Sequence, residues 1–170
     1  MANHPVSLKV DPLALKLLAV WAVMNDVEVG STLSAAINVQ SRREAQSRGP
    51  DFARRFAAEV DGLGHAEAMV ETGVDPAEAT SAAGVTATIY DTGQESLVES
   101  LDPGKPIART FRLDETAIAR LAAWSRLAGE TRSAAATRWV KARLVELAHR
   151  NGEDFENAFF AAVLHCRWSN

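Results

Sequence analysis

A single cysteine, Cys166, leaves the chain no partner for an internal disulfide, and no CxxC or CxxxxH spacing offers a zinc site. Tyrosine occurs once, and β-branched residues are sparse beside abundant alanine, so propensity leans towards helix. Long apolar runs are missing as well. The longest, Leu13 to Met24, is broken by Lys16 and too short to span a bilayer, and the start MANHPVSLKVDP has no basic segment leading into an apolar core. These absences predict a cytoplasmic, membrane-free chain. Also missing are a glycine-rich phosphate loop, a nucleophile motif and an acid-base pair with supporting context, which predicts a non-enzyme with no catalytic residue and no cofactor. Glu67 and Glu71 read as a solvated helix face. His149, His165 and Cys166 lack ligand spacing, so no metal is expected.

What is present is an ordinary globular composition, 47% hydrophobic and 24% charged, on 170 residues, enough for one moderate domain or two small ones. Charge is unevenly spread. Residues 1–43 carry four bases against three acids, 44–104 three against twelve, 105–150 ten against four, and 151–170 one against three. A chain divided this way can hold a polyanion-binding face although its net charge is −4.

An internal repeat organises the chain. SLKVDPLALKLLAVW (7–21) lies without a gap over TFRLDETAIARLAAW (110–124), with identities at Asp11/Asp114, Ala14/Ala117, Leu18/Leu121, Ala19/Ala122 and Trp21/Trp124. Chance gives roughly one identity over such a window. Each copy opens on alternating polar and apolar residues, Ser7-Leu8-Lys9-Val10 and Thr110-Phe111-Arg112-Leu113, the period of a strand with one wet face. Asp11-Pro12 and Asp114-Glu115 then start helices. The helix over 12–24 is apolar almost all round and needs cover on more than one side, whereas that of the second copy ends near Ala128 at Gly129. After a polar turn, one residue longer in the first copy, Ser31 and Ser133 are placed to cap second helices, the later one running from Ala134 to about His149. Similarity beyond Trp21 is weak.

Between the copies, Pro50-Asp51 predicts a helix ending at Gly62-Leu63-Gly64, Asp75-Pro76-Ala77-Glu78 another start, 85–90 a strand-like run, and 102–106 a loop into the second strand. The tail from Phe155 to Leu164 predicts a short apolar helix packed on the body.

A strand, a capped helix, a polar turn and a second helix within about 40 residues resemble the ribbon-helix-helix family of the Arc and methionine repressors. The stretch 109–144 carries the resemblance well and 6–37 less well; the doubling is similar to TraY-type proteins of conjugative plasmids. The resemblance implies a mainly α fold in which two ribbon-helix-helix units (1–43 and 105–150) share a two-stranded antiparallel ribbon, within one chain or across a homodimer, with an acidic helical insert (44–104) and a C-terminal helix (151–170). It implies a bacterial DNA-binding protein, a repressor or plasmid-origin accessory factor, whose ribbon enters the major groove of double-stranded DNA. Ser7, Lys9, Thr110 and Arg112 would read bases, and Ser31, Thr32, Arg132 and Ser133 would hold phosphates at the starts of the second helices. The alternative is a helical adaptor or antitoxin-like protein whose acidic insert meets a protein partner.

Overall fold

A computed structural model describes residues 3–63 and 105–166. In chain order its elements are β1 (Asn3–Val10), α1 (Pro12–Asn25), α2 (Val29–Ser47), α3 (Pro50–Gly62), β2 (Ile107–Asp114), α4 (Glu115–Ala128), α5 (Arg132–Arg150) and α6 (Glu153–His165). The described residues are mainly helical, with one two-stranded antiparallel sheet. The helix start expected at 75–78, the strand-like run at 85–90, the acids Glu67 and Glu71, and the loop residues 102–104 lie outside the described residues.

The local rules that start and stop these helices act twice. Asp11 Oδ1 accepts the Ala14 N–H and Asp114 Oδ1 the Ala117 N–H, each at 2.7 Å, so both caps form as their sequence signals predict. The helices they start end at left-handed residues, Asp26 and Gly129. The third helices start after Gly49 and Gly152, at φ +105° and +96°, a backbone that side-chain-bearing residues rarely adopt.

Shifting every boundary of α1, α2 and α3 by 103 residues reproduces α4, α5 and α6. The strands share this relation: Ser7 pairs with Thr110, its own counterpart, at the centre of the ladder that runs from Asn3↔Asp114 to Val10↔Ile107. The turn is therefore not longer in the first copy; three residues separate the helices in each. The second helices also start earlier than Ser31 and Ser133 suggest. Thr131 caps α5, its hydroxyl accepting the Ala134 N–H at 3.1 Å, and Glu28 precedes α2 without a side-chain cap. The boundary expected at 43/44 falls inside α2, and α3 follows α2 at the same spacing at which α6 follows α5.

Alternation in the strands decides where the core sits. Val6, Leu8 and Val10 of β1 and Phe111 and Leu113 of β2 are buried on one face of the ribbon. Behind them the two halves interleave: α2 packs on β2 and α4, and α5 on β1 and α1. Each third helix lies on the other half's first helix. Trp124 of α4 meets Phe52 and Phe56 of α3 edge to face at 5.6 and 5.8 Å; Trp21 of α1 meets Phe155 and Phe159 of α6 at 5.6 and 5.7 Å. That is how the nearly all-apolar α1 is covered, by α2, α5 and α6. Among the described residues no helix is long and apolar enough to cross a membrane.

Candidate nucleic-acid interface

The outer face of the ribbon carries exposed side chains in alternation along both strands. Ser7, Lys9, Thr110 and Arg112 are all exposed on it, with Asn3, Pro5 and Ala108 completing the alternation. Ser7 Oγ and Thr110 Oγ1 lie 3.2 Å apart across the centre, either able to donate. Lys9 stands beside Ala108 and Arg112 beside Pro5, so the two cations are counterparts on opposite sides of the centre. The four residues expected to share a face do share it. Pro5 and Ala108, next to the cations, were not singled out in the sequence because they offer no hydrogen-bonding side chain; their value is steric, leaving Lys9 and Arg112 room to reach outward.

A two-stranded sheet has two open edges, and unpaired edge groups invite other strands. Here the starts of the second helices close them. On one edge Ser133 Oγ accepts the Lys9 backbone N–H at 2.8 Å. On the other, Gly30, the counterpart of Ser133, comes so near that a Cβ on it would stand 2.4 Å from the Arg112 carbonyl oxygen. Ser34 Oγ takes the Asp114 N–H at 3.1 Å. These contacts fix the ribbon to the helical body and hold the backbones of Lys9 and Arg112 in place.

The residues expected to hold phosphates are placed differently from one another. Ser133 and Arg132 are buried at the start of α5, the former committed to the ribbon edge. Thr32 is buried too, its hydroxyl donating to the Glu28 carbonyl at 3.0 Å. Ser31 is exposed, but it and Thr32 line a groove between α1, α2 and α5 rather than the ribbon's outer face. Ser133 meets the ribbon as an acceptor for backbone. Glu28 was not anticipated: it is exposed and lines a pocket of about 300 Å³ together with Arg109 and Arg112. Its carboxylate puts negative charge at the Arg112 end of the ribbon.

Charged networks behind the ribbon tie the halves together. Lys141 Nζ of α5 reaches Asp11 Oδ2 at 2.5 Å with both side chains buried. In the counterpart position Asn38 Nδ2 of α2 donates to Asp114 at 3.3 Å. Burial works against the charge of Arg138, but its hydrogen bonds to Glu130 and Glu44 outweigh that and hold it above the usual arginine value. Burial likewise favours a neutral Glu146. The Arg43 hydrogen bond, with the charges of Arg143 and Arg150, prevails and keeps its carboxyl below the usual glutamate range.

Among the described residues no group of three or more His, Cys, Asp or Glu side chains is placed to hold a metal. No family model, no curated protein and no solved structure matches this chain.

Proposed function

We propose that the chain is a sequence-specific double-stranded-DNA-binding protein built as a doubled ribbon-helix-helix, a repressor or plasmid-origin accessory factor that lays its ribbon in the major groove. The observation that carries this reading is the outer face of the ribbon: two hydroxyls at its centre and one cation on either side, opposite an inner face that buries Val6, Leu8, Val10, Phe111 and Leu113. A two-stranded ribbon fits the width of the major groove, and the residue types suit it. Arg112 can bond a guanine edge with two N–H groups, Lys9 can bond one as a point charge, and Ser7 and Thr110 can serve any base as donor or acceptor. The pairing of β1 with β2 lets one chain present the whole ribbon, so the reading needs no second copy.

Thr32, Arg132 and Ser133 are buried, so in this reading phosphate contacts fall to other groups that flank the ribbon. Lys105, exposed just ahead of β2, adds a cation near the groove. The proposal includes no metal, cofactor or catalytic residue.

Selection of bound sites from random DNA by the full chain, with affinities measured at two salt concentrations, tests it. The expected result is affinity that falls steeply with salt and an enriched site containing guanine opposite Arg112. Arg112→Ala should then weaken that site by about 1–3 kcal/mol while leaving the helical circular dichroism unchanged. Absence of binding at low salt, or an unaltered affinity in Arg112→Ala, overturns the reading.

A further inference from the structure

The 103-residue relation exposes a place where the two halves differ. In the second half Trp139 stands edge to face on Trp124 with ring centres 5.2 Å apart, and its indole N–H donates to Glu44 Oε2 at 2.7 Å. Arg138 lies alongside, bound by Glu44 and Glu130. The counterparts of Trp139, Arg138, Glu130 and Glu44 are Ala36, Ala35, Val27 and Leu147. What one half fills with an indole and rings with ion pairs, the other leaves as an open groove of about 220 Å³, lined by these four apolar residues, by Trp21 and by Arg143.

We propose that this groove is a docking site for a segment of a partner protein that presents an aromatic side chain with a carboxylate close to it. The aromatic requirement comes from the molecule itself, since the equivalent space beside Trp124 is occupied by an indole. Trp124 is fully buried by that packing, while Trp21 keeps 9% of its surface. The carboxylate requirement comes from Arg143. Of the described residues that line the groove it is the one with a charge, and its ion pair to Glu146 is long at 3.5 Å. A guanidinium so loosely paired gains from a second charged acceptor. Val23, Met24 and Val27 extend the apolar surface around the end of α1, with Val23 83% exposed. Of these, Val27 lines the groove itself. The groove is separate from the ribbon's outer face, so the inference stands whether or not the chain binds DNA.

The test is to pan a displayed random-peptide library against the full chain and to measure a synthetic enriched peptide on variants. Enriched peptides should share an aromatic residue with Asp or Glu nearby. Replacing that aromatic by alanine, or filling the groove with Ala36→Trp, should weaken binding at least about tenfold, the loss expected for a buried anchor residue. Ala36 is fully buried; should Ala36→Trp not fold, Val27→Gln at a half-exposed position carries the test, with unchanged melting and the same direction of loss. No enrichment, peptides without an aromatic residue, or unaltered binding by Val27→Gln overturns the proposal. Sedimentation showing dimers that Val27→Gln dissolves also overturns it, since the occupant would then be a second copy.

Discussion

Gly30 and Ser133 occupy one position in two versions and illustrate how a residue choice is forced by its neighbour. Ser133 has room for a side chain and uses it to satisfy the Lys9 N–H. Gly30 has none, because a Cβ would meet the Arg112 carbonyl at 2.4 Å. Gly30→Ala must therefore push α2 away from β2, and the expected cost is about 1–3 kcal/mol, the range for overpacking. Helix propensity alone predicts the opposite sign, since alanine is favoured over glycine inside a helix. Urea denaturation of Gly30→Ala decides between them, and a stabilised variant would show the close approach to be absent. The four residues of the outer face were legible in the sequence because alternation in a short strand assigns faces without knowledge of the partner. The helix starts were less so. Ser133 looks like a cap, yet Thr131 two residues earlier is an equally competent one, and only the packing of α5 on the ribbon selects it. Glu28 makes no side-chain cap bond and left no signal to read.

At the scale of elements, the first helices could be matched from sequence because their caps and inward faces are nearly identical. The second helices could not, since Ala36 faces Trp139 and Ser41 faces Leu144 across the relation. The third helices do carry a signal: Gly49, Asp51, Phe52, Phe56, Ala58 and Val60 recur as Gly152, Asp154, Phe155, Phe159, Ala161 and Val163. It escapes a search that inserts a residue into the preceding turn. The caps also grip the opposite half, and with different strength. Asp11 holds a buried ammonium from α5, whereas Asp114 holds a half-buried amide from α2. Removing one member of a buried ion pair strands the other charge, so Lys141→Ala should cost about 3–5 kcal/mol. Asn38→Ala removes a neutral donor from a partly exposed carboxylate and should cost about 1 kcal/mol. Melting both variants checks the ordering; equal losses would mean that the Asp11–Lys141 pair carries no special weight.

Taken as a whole molecule, the chain has two sequence units, and the core of its described residues is one cluster. The ribbon needs both strands, α2 is seated on β2, α5 on β1, and each third helix covers a tryptophan of the opposite half. A lone unit would expose the inner faces of its strand and of two helices, and a small domain has no surplus of buried area to absorb that. The arrangement predicts one cooperative unfolding transition in urea, with the same midpoint by far-UV circular dichroism and by tryptophan fluorescence. Trp21 and Trp124 sit in different aromatic clusters, so variants in which one of them is the sole tryptophan left of the four report on each cluster separately. Phe52→Ala, which opens a gap beside Trp124, should cost about 3–5 kcal/mol and lower the midpoint seen from Trp21 as much as that seen from Trp124. A midpoint that moves only for Trp124 would mean that the halves hold separate cores, and the ribbon would then join two domains instead of being the roof of one.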